Sequence, residues 1–407
     1  MILTREELLR KQIIVLKQHG TGTKEQEAKL AELLARGTGG LLSGGSESLQ
    51  TVEEYLHSHF TIKDWVGVRI VFGFAAALYV PGEMLWIRFV GASRSGKTEL
   101  LRSIVAHADS KEMEVLTPAA IRGGLKEQPI KLLGEINGYR VITKDLAPLL
   151  TTRKDVRSEV FGLLRSAKDG RIVSDFGSEE GHLEQDSRFD WLAATTPYFE
   201  QHRVLEALLG ERFIDLWWIS ADREEMAIKA VENNPHLAEI RKELADLVVK
   251  MLDKAKEGSA DLDLTLVDNT WLGRVGNLCA LLRTSVLKDE KGHITSEPQP
   301  EVGTDLAQGF QKTALGLQLL GVKRYQPYIA RLVRDCVPSV RRKLVLVLVE
   351  DQATVDDLAR ATRLPRSTIE YYLKDLLALD VITRLGNTYT YRLKADLEEK
   401  IRSIWKQ

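Results

Sequence analysis

Residues 89–101 of this 407-residue chain read FVGASRSGKTELL, and this stretch decides the fold. An apolar run, LWIRFV, leads into it, and an amphipathic pattern, ELLRSIVAHA, leads out of it. The central GASRSGKT has the spacing G-x-x-x-x-G-K-[ST], which between a strand and a helix forms a loop around phosphate groups. Its glycines let the backbone curl so that N–H groups point inward, and the dipole of the following helix favours negative charge. The stretch therefore predicts a nucleotide-binding α/β core.

The positions of this loop have distinct predicted roles. Lys97 is expected to reach the terminal phosphates, and the hydroxyl of Thr98 is expected to ligate Mg²⁺. The predicted ligand is a nucleoside triphosphate, ATP or GTP, and ATP with Mg²⁺ is the cofactor pair that we expect. The predicted nucleotide-binding residues are Gly91, Ala92, Ser93, Arg94, Ser95, Gly96, Lys97 and Thr98.

Composition and charge exclude several classes of protein. The 57 basic and 58 acidic side chains nearly cancel, so the chain cannot coat nucleic acid through net charge alone, and any DNA contact must be local. The two cysteines are too few to form a disulfide framework in a chain of this length. The longest apolar window, VGVRIVFGFAAALYV, is interrupted by Arg69 and is too short to cross a bilayer. The charged N-terminus lacks the apolar centre of a signal peptide, so we expect a cytoplasmic protein without a membrane partner.

The pattern of apolar residues predicts four segments. Residues 1–48 form a helical arm and a linker rich in glycine and serine. Residues 49–220 alternate short apolar runs with amphipathic helices, which is typical of an α/β domain with a largely parallel sheet. Residues 221–339 show helical periodicity alone, and residues 340–407 read as a winged helix-turn-helix with a tight turn at Asn387. The predicted strands of the sheet are MLWIRFVG, MEVLT, YRVIT, FDWLAATT and FIDLWWIS.

A second part of the nucleotide site is predicted where the strand in RVITKDLAPLL ends. Enzymes of this kind commonly place an aspartate there for Mg²⁺ and often a glutamate next to it for water, but Asp145 is the one acidic residue present. If the apolar residue after the pair sets the alignment, Asp145 is the base and Lys144 replaces the metal ligand. If the strand end sets it, Asp145 is the metal ligand, which we favour slightly because a base without a metal is less useful. A single carboxylate predicts modest ATP turnover.

The segments after Asp145 resemble AAA+ ATPases in their order. They are KDVRSEVFGLLRSAKDG, RIVSDFGSEEGHLEQDSRF, DWLAATTP and ALLGERFIDLWW. This order is similar to the AAA+ branch with a β-hairpin before sensor 1, which includes the minichromosome maintenance helicases, and looks closest to ATPases of phages and mobile elements. The resemblance covers about residues 50–340, and the phosphate loop is its most specific motif. It implies an AAA+ core with a parallel sheet and an all-helical lid domain.

Carried over by matching positions, the resemblance implies two further catalytic residues beside Asp145. Thr196 in AATTP stands at sensor 1, where a hydroxyl can hold a water near the γ-phosphate. Arg212 in GERF stands at the arginine finger, which is donated to the nucleotide of the neighbouring subunit. A finger of this kind implies a homo-oligomer, expected as a hexameric ring or a helical assembly. Sensor 2 stays unassigned, because Arg274 and Arg283 lie in no diagnostic frame.

The predicted hairpin RIVSDFGSEEGHLEQDSRF allows two interpretations. In related helicases such a hairpin projects into a central channel and touches DNA. This one carries Asp175, Glu179, Glu180 and Glu184 at its centre, so it can equally be an exposed hairpin that shapes the subunit interface.

The C-terminal segment carries the predicted DNA contacts. In a winged helix the third helix enters the major groove and the wing lies along phosphates. The third helix here is PRSTIEYYLKDLL, and acidic neighbours dilute its positive field, so docking of another protein is the alternative use of the module. The predicted DNA-binding residues are Arg366, Ser367, Thr368, Tyr371, Lys374, Arg384 and Arg392.

Together these observations predict an oligomeric AAA+ ATPase acting on DNA. The leading hypothesis is a helicase- or translocase-like motor that serves replication or mobility of a phage or mobile element, with a replication or mobile-element protein as a further partner. The alternative is an ATP-gated assembly switch, a transcription regulator or a loader, in which slow hydrolysis only resets the assembly.

Overall fold

The computed structural model describes residues 45–114, 131–175, 182–202, 212–386 and 389–406. From Ser46 onward the chain forms one compact unit. The predicted N-terminal arm, the end of the predicted strand MEVLT, the tip of the acidic hairpin and the turn at Asn387 lie outside the described residues.

A five-stranded parallel sheet forms the centre of the α/β part. Its strands are β1 (Trp86–Val90), β2 (Ser110–Glu112), β3 (Arg140–Thr143), β6 (Asp190–Thr195) and β7 (Ile214–Trp217), and they lie in the order β2-β3-β6-β1-β7. The edge strand β2 starts earlier than MEVLT, because pairing with β3 sets its position: the Ser110 hydroxyl accepts a hydrogen bond from the buried Arg140 guanidinium at 2.8 Å. That predicted boundary was wrong, and the other four predicted strands are confirmed.

A β-hairpin directly precedes β6, as the sequence order predicts. Its strands β4 (Arg171–Asp175) and β5 (His182–Asp186) pair antiparallel with each other, outside the central sheet.

The helices of the α/β part include one that is almost wholly buried. Asp64 caps it through a 2.9 Å hydrogen bond from Gly67 N, and every residue from 67 to 77 is buried. The long apolar window of the sequence is therefore a core helix. The helices are α1 (Glu47–His59), α2 (Trp65–Ala77), α3 (Lys97–Val105), α4 (Lys131–Ile136), α5 (Ala147–Thr151) and α6 (Lys154–Lys168).

The following segment is helical, as its periodicity predicts, but it packs closely on the α/β part. A Cβ atom placed on Gly316 would lie 2.1 Å from the carbonyl oxygen of Gly73, so the helices that carry these glycines touch backbone to backbone. The segment contains α7 (Arg223–Asn233), α8 (Leu237–Gly258), α9 (Asn269–Arg283), α10 (Thr304–Leu319) and α11 (Gln326–Cys336).

The C-terminal part has the predicted winged helix-turn-helix architecture. Thr354 and Asp357 form a capping box at the start of its second helix, and Arg363 ends that helix in a left-handed conformation with φ of 57°. A short strand β8 and a final helix α15 join the predicted elements, and the three strands form a sheet in the order β8-β10-β9. The elements are α12 (Ser339–Glu350), β8 (Ala353–Thr354), α13 (Val355–Thr362), α14 (Arg366–Ala378), β9 (Ile382–Arg384), β10 (Thr390–Leu393) and α15 (Ala395–Trp405).

Among the helices that the structure describes, none combines the length and the apolar character needed to cross a bilayer.

Candidate nucleotide and nucleic-acid sites

The predicted phosphate loop, residues 91–98, joins the end of β1 to the start of α3, and its glycines are needed for different reasons. Gly96 precedes α3 with φ of 89°, a left-handed conformation that favours glycine. A Cβ on Gly91 would lie 2.9 Å from Trp218 Cβ and 3.3 Å from Lys97 Nζ, so this position needs glycine because space is short. Arg94 at the tip also has a positive φ of 58°. The loop has the curled conformation that its sequence predicts.

The loop is held from both sides by the strands that flank β1. Gly91 N donates to Thr195 O at 3.1 Å on the β6 side. On the β7 side, Trp218 N donates to Val90 O at 2.7 Å, and Trp218 Nε1 donates to Ser95 O at 2.7 Å. These bonds hold the loop between the ends of β6 and β7. Sequence reasoning missed Trp218, although the tryptophan pair at the end of β7 was visible in FIDLWWIS.

Lys97 turns its ammonium group back onto the loop. Its Nζ donates to Gly91 O and Ala92 O at 2.7 Å each and to Ser95 Oγ at 3.3 Å. Burial lowers the pKa of Lys97 to about 8, and the negative charge of Asp145 opposes that shift. The ammonium group of Lys97 therefore donates to carbonyl oxygens of the loop the hydrogen bonds that it would donate to phosphate oxygens.

Asp145 lies at the same edge of the sheet as the loop. Its Oδ1 accepts a hydrogen bond from Ala147 N at 2.9 Å, and Leu146 N donates to Ala194 O at 2.7 Å, which holds this turn beside β6. Lys144 forms an ion pair with Glu112 of β2. Thr98 and Asp145 are both exposed oxygen donors, and hard oxygen ligands suit Mg²⁺. The residues present therefore fit the predicted magnesium ion.

Two threonines follow each other at the end of β6, and the structure separates them. Thr195 is 2% exposed, and its Oγ1 has no hydrogen-bond partner in the described part of the chain. Thr196, the predicted sensor residue, is half-buried and directly follows the end of β6. A buried hydroxyl without a partner is costly unless a ligand or a water completes it. Thr195 is a second candidate that the sequence could not separate from Thr196, because the two side chains are chemically identical.

Arg241 brings the helical segment to the phosphate loop. It lies on α8 and donates two hydrogen bonds, at 2.8 and 2.7 Å, to the carboxylate of Glu99 in the first turn of α3. These residues lie 142 positions apart in the chain, so no local pattern could pair them. Arg283 lies elsewhere: its Nη1 donates to Phe213 O at 3.1 Å, at the start of β7.

Arg212 lies at the opposite edge of the sheet from the loop, because it precedes β7 and β7 runs parallel to β1. Its Nη1 donates to Asp305 Oδ2 at 2.8 Å, and its Nη2 lies 3.4 Å from Asp169 Oδ1. The side chain is 24% exposed. The structure thus does not bring Arg212 to the nucleotide site of its own chain, and it pairs the guanidinium with two carboxylates of that chain.

The predicted DNA-reading helix α14 is exposed on one flank and covered on the other. Ser367 and Lys374 are exposed and Thr368 is half-buried. Arg366 is exposed, but it forms ion pairs with Asp356 at 2.7 Å and Glu370 at 3.2 Å.

A loop at residues 288–294 covers the other flank of α14. The ammonium of Lys288 lies 3.2 Å from the ring centre of Tyr371 and 2.5 Å from Asp375 Oδ1. Tyr371 is 41% exposed, so this contact occupies part of a predicted DNA-binding side chain. Sequence reasoning missed the loop because it belongs to the helical segment.

The two arginines of the wing are both exposed, but they point to different faces of the β-hairpin. Arg384 stands opposite the buried Tyr391, and Arg392 stands opposite Thr383. Neighbouring positions along a strand alternate between faces, and directly paired residues share one. The Arg384 guanidinium also lies 4.4 Å from the ring centre of Tyr389.

Comparison with known proteins bears on the C-terminal part. Residues 338–384 match the family described as "Bacterial regulatory protein, arsR family". The chain contains a helix-turn-helix domain. The match begins just before α12 and ends with β9, so it covers the same elements that form the helix-turn-helix in the structure.

The whole chain has weaker similarities. A solved structure titled "SCCmec type IV Cch - active helicase" is similar to it with a TM-score of 0.37 and 13% sequence identity, over 90% of this chain and 73% of that one. No curated protein matches the chain.

Proposed function

We propose that this protein is an oligomeric AAA+ ATPase that acts on DNA. The observation that carries the proposal is the phosphate loop, curled between the ends of β6 and β7 with Lys97 and Asp145 at the same edge of a parallel sheet. A loop of this sequence between a strand and a helix is a specific signal for nucleotide phosphates.

ATP binding would exchange the internal bonds of Lys97 for bonds to phosphate oxygens. The loop N–H groups and the N-terminus of α3 favour the negative charge, and Lys97 supplies the cation that the terminal phosphates need. Thr98 and Asp145 would hold Mg²⁺, which neutralises phosphate charge when bound. The threonine pair at the end of β6 would orient a water, and one exposed carboxylate favours a modest rate.

The AAA+ assignment is supported by the order of elements. One strand, β6, lies between β1, which leads into the loop, and β3, which leads to Asp145, and the hairpin β4–β5 precedes β6. Arg212 lies at the far edge of the sheet, where it can serve a neighbouring subunit and not its own nucleotide. A homo-oligomer, a hexameric ring or a helical assembly, follows from that role.

Action on DNA is supported by the helix-turn-helix domain. Ser367 and Lys374 on α14 and Arg384 and Arg392 on the wing are exposed and suit contact with phosphates and bases. The proposed protein is a motor that serves replication or mobility of a phage or mobile element. In it, the helix-turn-helix domain would bind DNA and the ATPase core would hydrolyse ATP.

The test of the ATPase is binding of fluorescent ATP in Mg²⁺, followed by turnover with and without DNA. Lys97→Ala is expected to lose at least about a hundredfold in ATP affinity, since a charge-assisted contact to phosphate disappears. Lys154→Ala, at an exposed lysine of α6, is the matched control and should bind as the wild type does. The proposal fails if the wild type binds neither ATP nor GTP.

A second candidate function is an ATP-gated switch with slow hydrolysis, which the single carboxylate at Asp145 favours. Strand-displacement assays separate the two candidates. A motor unwinds duplex DNA in proportion to the ATP it consumes, whereas a switch binds DNA in an ATP-dependent manner without unwinding it.

A further inference from the structure

A short 3₁₀ helix, Pro197–His202, follows β6 and contacts the strands β1 and β7. Its Phe199 is fully buried: the ring lies 3.8 Å from the guanidinium of Arg88 on β1 and 5.9 Å from the ring of Trp217 on β7. The same 3₁₀ helix lies against α5, which begins two residues after Asp145. This 3₁₀ helix is therefore in contact with the edge of the sheet that carries the predicted nucleotide site.

The next residue, Glu200, caps the first helix of the winged domain. Its Oε1 accepts a hydrogen bond from Ser339 N at 2.9 Å, and its Oε2 accepts one from Ser339 Oγ at 2.7 Å. A carboxylate at a helix N-terminus satisfies free N–H groups and is favoured by the helix dipole. The start of α12 is thus tied to a residue only four positions after Thr196.

A second set of contacts joins the start of α12 to β7. The buried Asp335 accepts a hydrogen bond from Trp217 N at 2.8 Å and another from Arg342 Nη1 at 2.8 Å. The Arg342 guanidinium also lies 5.1 Å from the Trp217 ring centre. Trp217 neighbours Trp218, which holds the phosphate loop, so both strands beside β1 connect to α12.

From α12 the connection continues to the DNA-reading helix. Arg341 donates two hydrogen bonds, at 2.8 and 3.1 Å, to Asp375 on α14, and both side chains are 4% exposed. Separating a buried ion pair leaves an uncompensated charge and is strongly unfavourable. Movement of α12 must therefore carry α14 with it.

We propose that these contacts form a relay through which nucleotide at the phosphate loop controls the DNA affinity of the winged domain. The relay consists of Glu200, Ser339, Arg341 and Asp375. This inference rests on the proposed function, because it requires ATP at the loop and DNA at α14. Coupling between two ligands is reciprocal, so DNA must change the ATP affinity by the same factor by which ATP changes the DNA affinity.

The test measures both affinities in the full-length protein, each with and without the other ligand, using a non-hydrolysable ATP analogue and a duplex DNA. For the wild type we expect nucleotide to change the DNA dissociation constant at least about fivefold, with an equal change in the reverse experiment. Glu200→Gln keeps the side-chain size and removes the charge at the start of α12. It should bring the coupling factor close to one while the affinity for each ligand alone stays within about twofold of the wild type.

Two further variants test whether the relay contacts themselves cause the coupling. Ser339→Ala removes one hydrogen bond of the relay and should lower the coupling factor partly, with thermal melting as the check that it folds. Glu239→Gln changes an exposed glutamate of α8 outside the relay and should leave the coupling unchanged.

The inference is overturned, with the proposed function intact, if the wild type binds both ligands without affecting each other or if Glu200→Gln retains the full coupling. A wild type that binds no nucleotide overturns the proposed function as well.

Discussion

At the scale of single residues, burial destabilises the charged form of Lys97 in the phosphate loop. Its ammonium is buried and is compensated by neutral carbonyl and hydroxyl oxygens, and the carboxylate of Asp145 only partly offsets the loss of water. Burial disfavours the charged form of a lysine and lowers its pKa, here to about 8. In the proposed function, a bound triphosphate would supply negative charge next to this ammonium, so nucleotide binding would depend on the protonation of Lys97.

We predict that ATP affinity falls as the pH rises above about 8. Below that pH the free protein already carries the proton on Lys97, so binding takes up none. Above it, binding must draw a proton from solution, and affinity should fall by up to about tenfold per pH unit. Fluorescence titrations between pH 7 and 9.5 measure the change. Lys97→Arg, whose guanidinium stays charged, is the control and should bind ATP more weakly but without this slope. An equally flat profile for the wild type would contradict the prediction.

Thr195 allows a second prediction at this scale. Because its hydroxyl is buried without a hydrogen-bond partner in the described part of the chain, Thr195→Val should leave the free energy of unfolding unchanged or raise it by about 1 kcal/mol. If this hydroxyl contacts the water or the phosphate, ATP turnover should fall at least about tenfold in the same variant. Thr196→Val is the comparison, and a loss of turnover in that variant alone would assign the role to Thr196. Denaturant unfolding and phosphate release are the two measurements.

At the scale of elements, the contact between α2 and α10 joins the α/β part to the helical segment. Both helices are lined by small residues where they cross, and a Cβ on Gly73 would lie 2.8 Å from Leu317. Close packing of these backbones helps to bury residues 67–77 of α2, which explains why this stretch of the sequence is so apolar. Tight interiors respond to a single added methyl group.

We expect Gly316→Ala to destabilise the protein by about 3 kcal/mol, because the new methyl group would overlap the carbonyl oxygen of Gly73. Gly273→Ala on α9 is a matched control: apart from the chain neighbours and the backbone of its own helix, no atom of the described residues lies within 4 Å of the added Cβ, and alanine favours helix. That control should be neutral or slightly stabilising. Urea unfolding measures both, and equal effects of the two substitutions would show that helix propensity, and not the α2–α10 contact, sets the result.

At the scale of the whole molecule, the position of Arg212 distinguishes a structural role within its own chain from a catalytic role toward a second copy of the chain. Within one chain the guanidinium serves Asp305 and Asp169, at the edge of the sheet away from the phosphate loop. A part in ATP hydrolysis thus requires a second copy of the chain. The assembly and the catalytic site would then depend on each other.

Mixing two inactive variants tests that dependence. Arg212→Ala should bind ATP normally and lose turnover by about a thousandfold or more, and Lys97→Ala should lose ATP binding. In a mixed assembly, an intact Arg212 from the Lys97→Ala chain can face an intact loop in the Arg212→Ala chain, so part of the activity should return. Sizing chromatography with a non-hydrolysable ATP analogue verifies that the variants mix. Mixed assemblies without any recovered turnover would remove the role in trans.

Much of the local structure could be predicted from the sequence, including the curled loop, four of the five strands of the sheet and the winged domain. These features depend on short-range causes: the φ angle at Gly96, the periodicity of apolar side chains and the capping box at Thr354. Register was less predictable. The edge strand β2 lies where Ser110 meets Arg140, and nothing in the MEVLT pattern carries that information.

By itself the sequence determined most of the helices and strands and predicted a loop for phosphates, because backbone conformation and side-chain periodicity are properties of neighbouring residues. Only the tertiary structure decided which distant groups meet: Arg241 with Glu99, Arg212 with Asp305, Lys288 with Tyr371, and Glu200 with Ser339. Such pairs depend on how whole helices and strands pack, and packing is settled by shape and burial across the molecule. The routes by which one site can influence another therefore became visible only in the folded chain.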